Sequence, residues 1–276
     1  MKKILILFMC IQVTAQVQSQ TKKILIEGTG QPIVMLNGGT FDMTAYAPHS
    51  KLLADSFRVI RMEQFNIQYA NEGRQLPENY SVKTEREGIL KTLDSLRISE
   101  PVIMIGHSYG GVIAFDLAIN HPERVRSLVL VEAPLFDITK GKETDEMKQI
   151  SKLTNDFTPG VTVTEEMVMN FRCKMTNCDS ADIRKHSMWV KWMAQKDRLR
   201  GLSVVPNYKV DLEKLHRFQK PVLVVTGTTT IQAHKIIDDL LAHEFRNARK
   251  ANLKGNHTAI YQSAEDFVPM LKAFLR

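Results

Sequence analysis

Cysteine is scarce in this chain, three residues in 276, too few for a disulfide-stapled scaffold and without the neighbouring ligands a zinc site needs. Long apolar runs are missing too: no stretch reaches the ~20 residues required to span a bilayer. Lysine and arginine total 37 against 30 acidic residues, a formal net charge of +7, but they are scattered. No basic run tracks a phosphate backbone, which excludes nucleic-acid binding. Internal repeats and low-complexity tracts are absent. What is present is ordinary globular composition, 43% apolar and 24% charged, in a length that suits one α/β domain carrying an insertion.

Residues 1–20 read as a cleaved signal peptide. Lys2 and Lys3 precede an apolar run from Ile4 to Val13, and Val13-Thr14-Ala15 supplies small residues for cleavage near 15–20. The expectation is export, to a periplasm or the outside. Cys10 sits too early in that run, after bulky Leu7-Phe8-Met9, to be a lipidation site. Its removal leaves Cys173 and Cys178, which an oxidising compartment can join. A bridge needs a turn at Thr176-Asn177; in a continuous helix the two thiols point apart.

From Lys22 onward short β-rich runs alternate with helix-like segments: 22–27, 33–36, 58–61, 102–105, 127–132 and 222–226. Such alternation predicts a mainly parallel sheet with helices on both faces. The runs 33–36, 102–105 and 222–225 are apolar on both faces, as central strands are. Between them, Ser81 to Arg97 carries Ile89, Leu90, Leu93 and Leu96 on one helical stripe. The stretch 134–220 breaks the rhythm, being charged and helix-like with Met188, Trp189, Trp192 and Met193 at helical spacing. It reads as an inserted helical cap, with core at 21–133 and 221–276.

Directly after the strand at 102–105 stands Gly106-His107-Ser108-Tyr109-Gly110-Gly111, followed by a helical run through Ala118. This is G-x-S-x-G between a strand and a helix. The serine must sit on a tight strained turn, so glycines stand where strand and helix nearly touch. The helix N-terminus then favours a developing oxyanion.

Here the chain resembles the α/β-hydrolase family, and the resemblance runs from about residue 22 to the end. The turn Asn37-Gly38-Gly39-Thr40 is similar to the family's His-Gly oxyanion motif, with Asn37 in place of histidine. The resemblance implies that the backbone N–H groups of Gly39 and Tyr109 bind the oxyanion. It also implies that His257, in Gly255-Asn256-His257-Thr258 before the last helix, is the general base. Among the eight histidines, His107 reads as packing under the elbow and His121 as a helix end. His49, His186, His216, His234 and His243 read as surface or cap positions, with His234 the one competitor for the base.

The acid departs from the commonest pattern. The loop after 222–226, where the family usually carries it, reads Gly227-Thr228-Thr229-Thr230-Ile231-Gln232, and Asp238 and Asp239 fall on the next helix. Glu132 ends the strand after the nucleophile helix, on the sheet rim that presents Ser108, where some branches place the acid. The expected triad is Ser108, Glu132 and His257.

The resemblance implies acyl transfer through an acyl-serine on a small-molecule ester or related substrate, with no metal or organic cofactor. Serine at the elbow argues against the dehalogenases and epoxide hydrolases of this fold, which need aspartate there. Met188, Trp189, Trp192, Met193 and Phe171 either line an acyl pocket or pack the cap. Three other readings share these residues: a proline-type aminopeptidase, to which the Asn-Gly-Gly turn is similar, a carbon–carbon bond hydrolase, and a catalytically weak binding protein.

Overall fold

A computed structural model describes residues 22–176 and 182–276. The signal-peptide segment and Cys178, and so the Cys173–Cys178 bridge, lie outside the described residues; Cys173 itself lies in the helix Glu165–Thr176. The chain runs β1 (Ile24–Glu27), β2 (Gln31–Leu36), α1 (Ala47–Leu53), β3 (Phe57–Met62), α2 (Phe65–Asn71), α3 (Val82–Ser95), β4 (Val102–His107), α4 (Tyr109–Asn120) and β5 (Val125–Val131). An insertion follows with α5 (Asp145–Asn155), α6 (Glu165–Thr176), α7 (Trp189–Ala194), α8 (Val204–Asn207) and α9 (Leu212–Arg217). Then β6 (Val222–Gly227), α10 (Gln232–Glu244), β7 (Ala248–Leu253) and α11 (Ala264–Phe274) complete it.

The strands form one sheet in the order β1-β3-β2-β4-β5-β6-β7. β1 is antiparallel to β3 and all other neighbours are parallel. Because successive side chains in a strand point to opposite faces, each doubly apolar run feeds two cores. Val34, Leu36, Met104 and Leu130 pack with Ile89 and Leu93 of α3, Phe115 of α4 and Ile237 of α10. Ile33, Met35, Ile105 and Val129 pack on the other face with Leu53 of α1 and Phe267 and Leu271 of α11. Each such side chain fully buried contributes roughly 1.5–3 kcal/mol.

The helix expected over 81–97 spans Val82–Ser95, with the Ser81 hydroxyl accepting the Thr84 N–H at 3.3 Å. Arg97 at φ 55 then leaves the helix. The chain between β5 and β6 is helical and contains no strand among the described residues. The seventh strand, Ala248–Leu253, has no continuous apolar run to announce it, because β7 lies at the sheet edge and carries exposed Arg249, Lys250 and Asn252.

Candidate active site

Ser108 sits at the tip of the β4–α4 turn with φ 51 and ψ −124, a region sparsely populated by non-glycine residues and costing about 1–3 kcal/mol. The turn is held from both sides. The Ser108 N–H donates to the Val131 carbonyl at 2.9 Å, and its own carbonyl accepts Gly111 N–H at 2.8 Å. A Cβ on Gly106 would lie 2.3 Å from the Gly110 carbonyl oxygen, and one on Gly110 would lie 2.4 Å from that of Asn37. Any side chain at either position would force the elbow apart.

Glu132 follows β5 at φ 48 and is buried. One carboxylate oxygen accepts the Gly227 N–H at 2.6 Å; the other accepts the Thr230 hydroxyl at 2.8 Å and His257 Nδ1 at 2.6 Å. Since the carboxylate only accepts, Nδ1 carries the proton and Nε2 keeps its lone pair. Burial, and after it the charge of Arg172, lowers the His257 pKa below the usual histidine range. Its imidazole is therefore neutral at pH 7.

Tyr109 opens α4, so its N–H is among the donors a helix leaves over. The Gly39 N–H has no acceptor among the described residues. The Gly39 loop is pinned by Asn66 Nδ2, which donates to the Gly39 carbonyl at 2.8 Å and to that of Arg198 at 2.6 Å.

Ser108, Gly39, Tyr109 and His257 line one cavity of about 290 Å³. Phe171, Met188 and Trp192 line it too, whereas Trp189 and Met193 pack against the core without reaching it. The one helical cluster thus serves both purposes. Arg172 is the only Lys, Arg, Asp or Glu among the described lining residues, and its guanidinium lies 5.0 Å from the Trp192 ring centroid.

The histidine assignments need correction. His234 is not at the surface: it is buried in α10 and stacks on His257, 4.4 Å between centroids and 4° between planes. His49 is also fully buried, against Tyr46 and Phe267, whereas His186 is exposed, as its sequence context suggests, and stacks on Trp192 at the cavity. Charged and polar neighbours in sequence conceal the burial of His234 and His49. Tyr261 and Thr230 also join the site, with no local signal beyond proximity to His257 and to the usual acid position.

Glu132, His234 and His257 each offer one ligand atom, all within 4.8 Å of one another. They do not fit a metal ion as arranged. Imidazole lone pairs lie in the ring plane, and two rings stacked face to face cannot aim theirs at one ion; Glu132 already accepts three hydrogen bonds.

The sequence pattern of the α/β hydrolase fold matches residues 31–158. The chain is 37% identical over 119 residues to a 2-hydroxymuconate semialdehyde hydrolase of Pseudomonas sp. (strain CF600), covering 41% of each. A cis-3-alkyl-4-alkyloxetan-2-one decarboxylase of Shewanella oneidensis is 26% identical over 116 residues, 42% of this chain and 36% of that protein. The chain thus spans about two fifths of the length of these curated relatives. Among solved structures, a hydrolase from Pseudomonas aeruginosa superposes with a TM-score of 0.71 at 18% identity, covering 91% of this chain and 93% of that one. With this match and this superposition, the chain has the α/β-hydrolase fold. No helix among the described residues is long and apolar enough to cross a membrane.

Proposed function

We propose that the protein is an exported serine hydrolase acting on the ester or related acyl bond of a small molecule through Ser108, His257 and Glu132. The observation that carries this reading is the contact at 2.6 Å between buried Glu132 and His257, whose ring lines the same cavity as Ser108. A protein that had drifted to binding alone would have no need to keep that carboxylate desolvated and aimed at an imidazole.

His257 Nε2 takes the Ser108 proton as Oγ attacks the acyl carbon. The oxyanion receives the Gly39 and Tyr109 N–H groups, and collapse expels the leaving group, which His257 protonates. Water, activated by the same ring, releases the acyl group. Glu132 holds the imidazole in its Nδ1–H tautomer and stabilises the imidazolium. The hydrolase named among the relatives is consistent with this chemistry.

The test exposes signal-free folded protein to a fluorophosphonate probe, with heat-denatured and Ser108→Ala controls, and locates the adduct by peptide mass spectrometry. An adduct at Ser108 in the folded wild type alone, with turnover in an ester, amide and thioester panel, is the expected result. An unlabelled Ser108 overturns the reading, and product analysis separates ester from carbon–carbon cleavage. Export is tested by finding the chain outside the cytoplasm with residues 1–20 removed.

A further inference from the structure

Tyr261 ends a short 3-10 turn that begins two residues after His257. Its hydroxyl lies 2.7 Å from the Gly38 nitrogen and 2.9 Å from His107 Nδ1, and His107 Nε2 lies 2.7 Å from the His257 carbonyl oxygen. Donor and acceptor chemistry fixes every proton in this chain. The His257 carbonyl only accepts, so His107 Nε2 carries the hydrogen. His107 is buried, which pushes its pKa down to about 3 and keeps the ring neutral; Nδ1 is then an acceptor. The one hydroxyl hydrogen of Tyr261 goes to Nδ1, and the phenol oxygen accepts the Gly38 N–H. The order is Gly38 N–H to Tyr261, Tyr261 O–H to His107, His107 Nε2–H to His257.

This relay joins the two loops the chemistry must keep in register. Gly38 precedes Gly39 in the turn after β2, and His257 rides the loop after β7. The strands feeding them lie well apart in the sheet, since β4, β5 and β6 stand between β2 and β7. The relay is closely packed as well: a Cβ on Gly38 would approach His107 Nδ1 to 2.9 Å. Phe41 stacks on the Tyr261 ring at 4.3 Å, so the phenol ring has its own support apart from the hydroxyl.

We propose that Tyr261 is a positioning residue for the hydrolysis proposed above: through Tyr261–His107 hydrogen bonding, its hydroxyl sets the oxyanion loop and the His257 loop at a fixed separation. The inference rests on that functional reading. A preorganised oxyanion hole depends on donors within a few tenths of an ångström of where charge develops, and a loop released by one hydrogen bond loses that precision.

The experiment pairs Tyr261→Phe, which keeps the ring and removes the hydroxyl, with His107→Gln and the double variant. Rates are taken on an ester the wild type turns over and normalised by fluorophosphonate active-site titration. Expected is a fall in kcat of about 10- to 100-fold for Tyr261→Phe, KM held within about twofold, and a double variant hardly worse than the poorer single one. An unchanged kcat per titrated site, or two losses that multiply in full, overturns the proposal. Nitrogen-15 spectra of the wild-type histidines test the relay independently of turnover and of whether a variant folds. His107 must show a protonated Nε2 and an unprotonated Nδ1; the opposite tautomer overturns the relay. A wild type that cleaves no substrate while His107 shows the expected tautomer sinks the hydrolase reading and with it the positioning role, but leaves the hydrogen-bond relay standing.

Discussion

The His234 ring lies face to face with that of His257, 4.4 Å away and within 4° of parallel, and neither His234 nitrogen has a hydrogen-bond partner among the described residues. Burial, reinforced by His257 beside it, pushes the His234 pKa down to about 3. His234 therefore acts as a neutral planar slab that keeps water off one face of the His257 ring. His234→Phe preserves the slab and is expected to hold kcat within about threefold, with little stability lost, because the two buried nitrogens it deletes had no bonds. His234→Ala admits water, relieves the desolvation that depresses the His257 pKa, and moves the acid limb of kcat/KM to higher pH. Profiles of the three proteins between pH 4 and 8 check this; coincident limbs for wild type and alanine variant refute it.

Glu132 makes three hydrogen bonds, and disturbing all of them or one of them predicts different losses. Glu132→Gln presents an amide that cannot accept from Gly227, Thr230 and His257 together, so His257 loses its tautomer control. A fall in kcat on the order of 10⁴-fold is expected, with KM little changed. Thr230→Val removes only one donor to the carboxylate and is expected to cost about 1.5–3 kcal/mol of stability, with kcat down less than about tenfold. Steady-state kinetics beside urea unfolding distinguish the two patterns.

How much of this was legible in the sequence follows from how local each signal is. The elbow is six consecutive residues between a strand and a helix, and Glu132 stands just after the next strand on the same rim, so the placement of both can be read off directly. The central strands announce themselves by being apolar on both faces. His234 and Tyr261 cannot be read this way. Their roles arise from what the sheet order brings together: Gly38 and Tyr261 are 223 residues apart in the chain. His234, with Lys235 beside it and a helical pattern of mixed polarity around it, carries no local sign of burial; α10 packs on β6 and β7 and turns it inward. The cluster at 188–193 is ambiguous for a related reason, since helical spacing puts Trp189 and Trp192 on one stripe but does not show which of them meets a cavity.

Three buried histidines make folding stability depend on pH. His49 is pushed down to about 4, and His107 and His234 to about 3, in each case first by burial. In the unfolded chain such groups titrate near 6.5. Between about pH 3 and 6.5 the unfolded state therefore binds more protons, and stability rises with pH. The contribution is complete above pH 6.5 and is lost as pH falls toward 3. Asp238, whose pKa burial raises, opposes part of this. Urea midpoints from pH 7.5 to 4.5 should fall, and His234→Phe should flatten the slope by removing one proton from the difference; equal slopes would count against the assignment.

Lys22, the first residue of the described chain, carries a buried ammonium paired with the buried carboxylate of Glu85. Glu85 also accepts the Phe65 N–H at 2.8 Å and the Tyr80 hydroxyl, and the Tyr80 oxygen lies 2.7 Å from that of Tyr109. The Tyr80 hydrogen goes to the carboxylate, so Tyr109 donates to Tyr80, and the residue after the nucleophile is tied to a buried ion pair. Lys22→Met strands the Glu85 charge without its counterion, at a cost of about 3–5 kcal/mol. In a chain of this size that corresponds to a melting temperature lower by on the order of 10 °C. A Lys22→Met/Glu85→Gln double variant, which carries no stranded charge, should recover part of that loss. The same pairing bears on processing. Under the export proposed above, a signal peptidase that cut beyond Lys22 would leave Glu85 in the same stranded state, so the mature N-terminus is expected at or before residue 22. Scanning calorimetry of the two variants, and Edman or mass analysis of the mature N-terminus, check both halves of the argument, and a stable protein beginning after Lys22 would refute it.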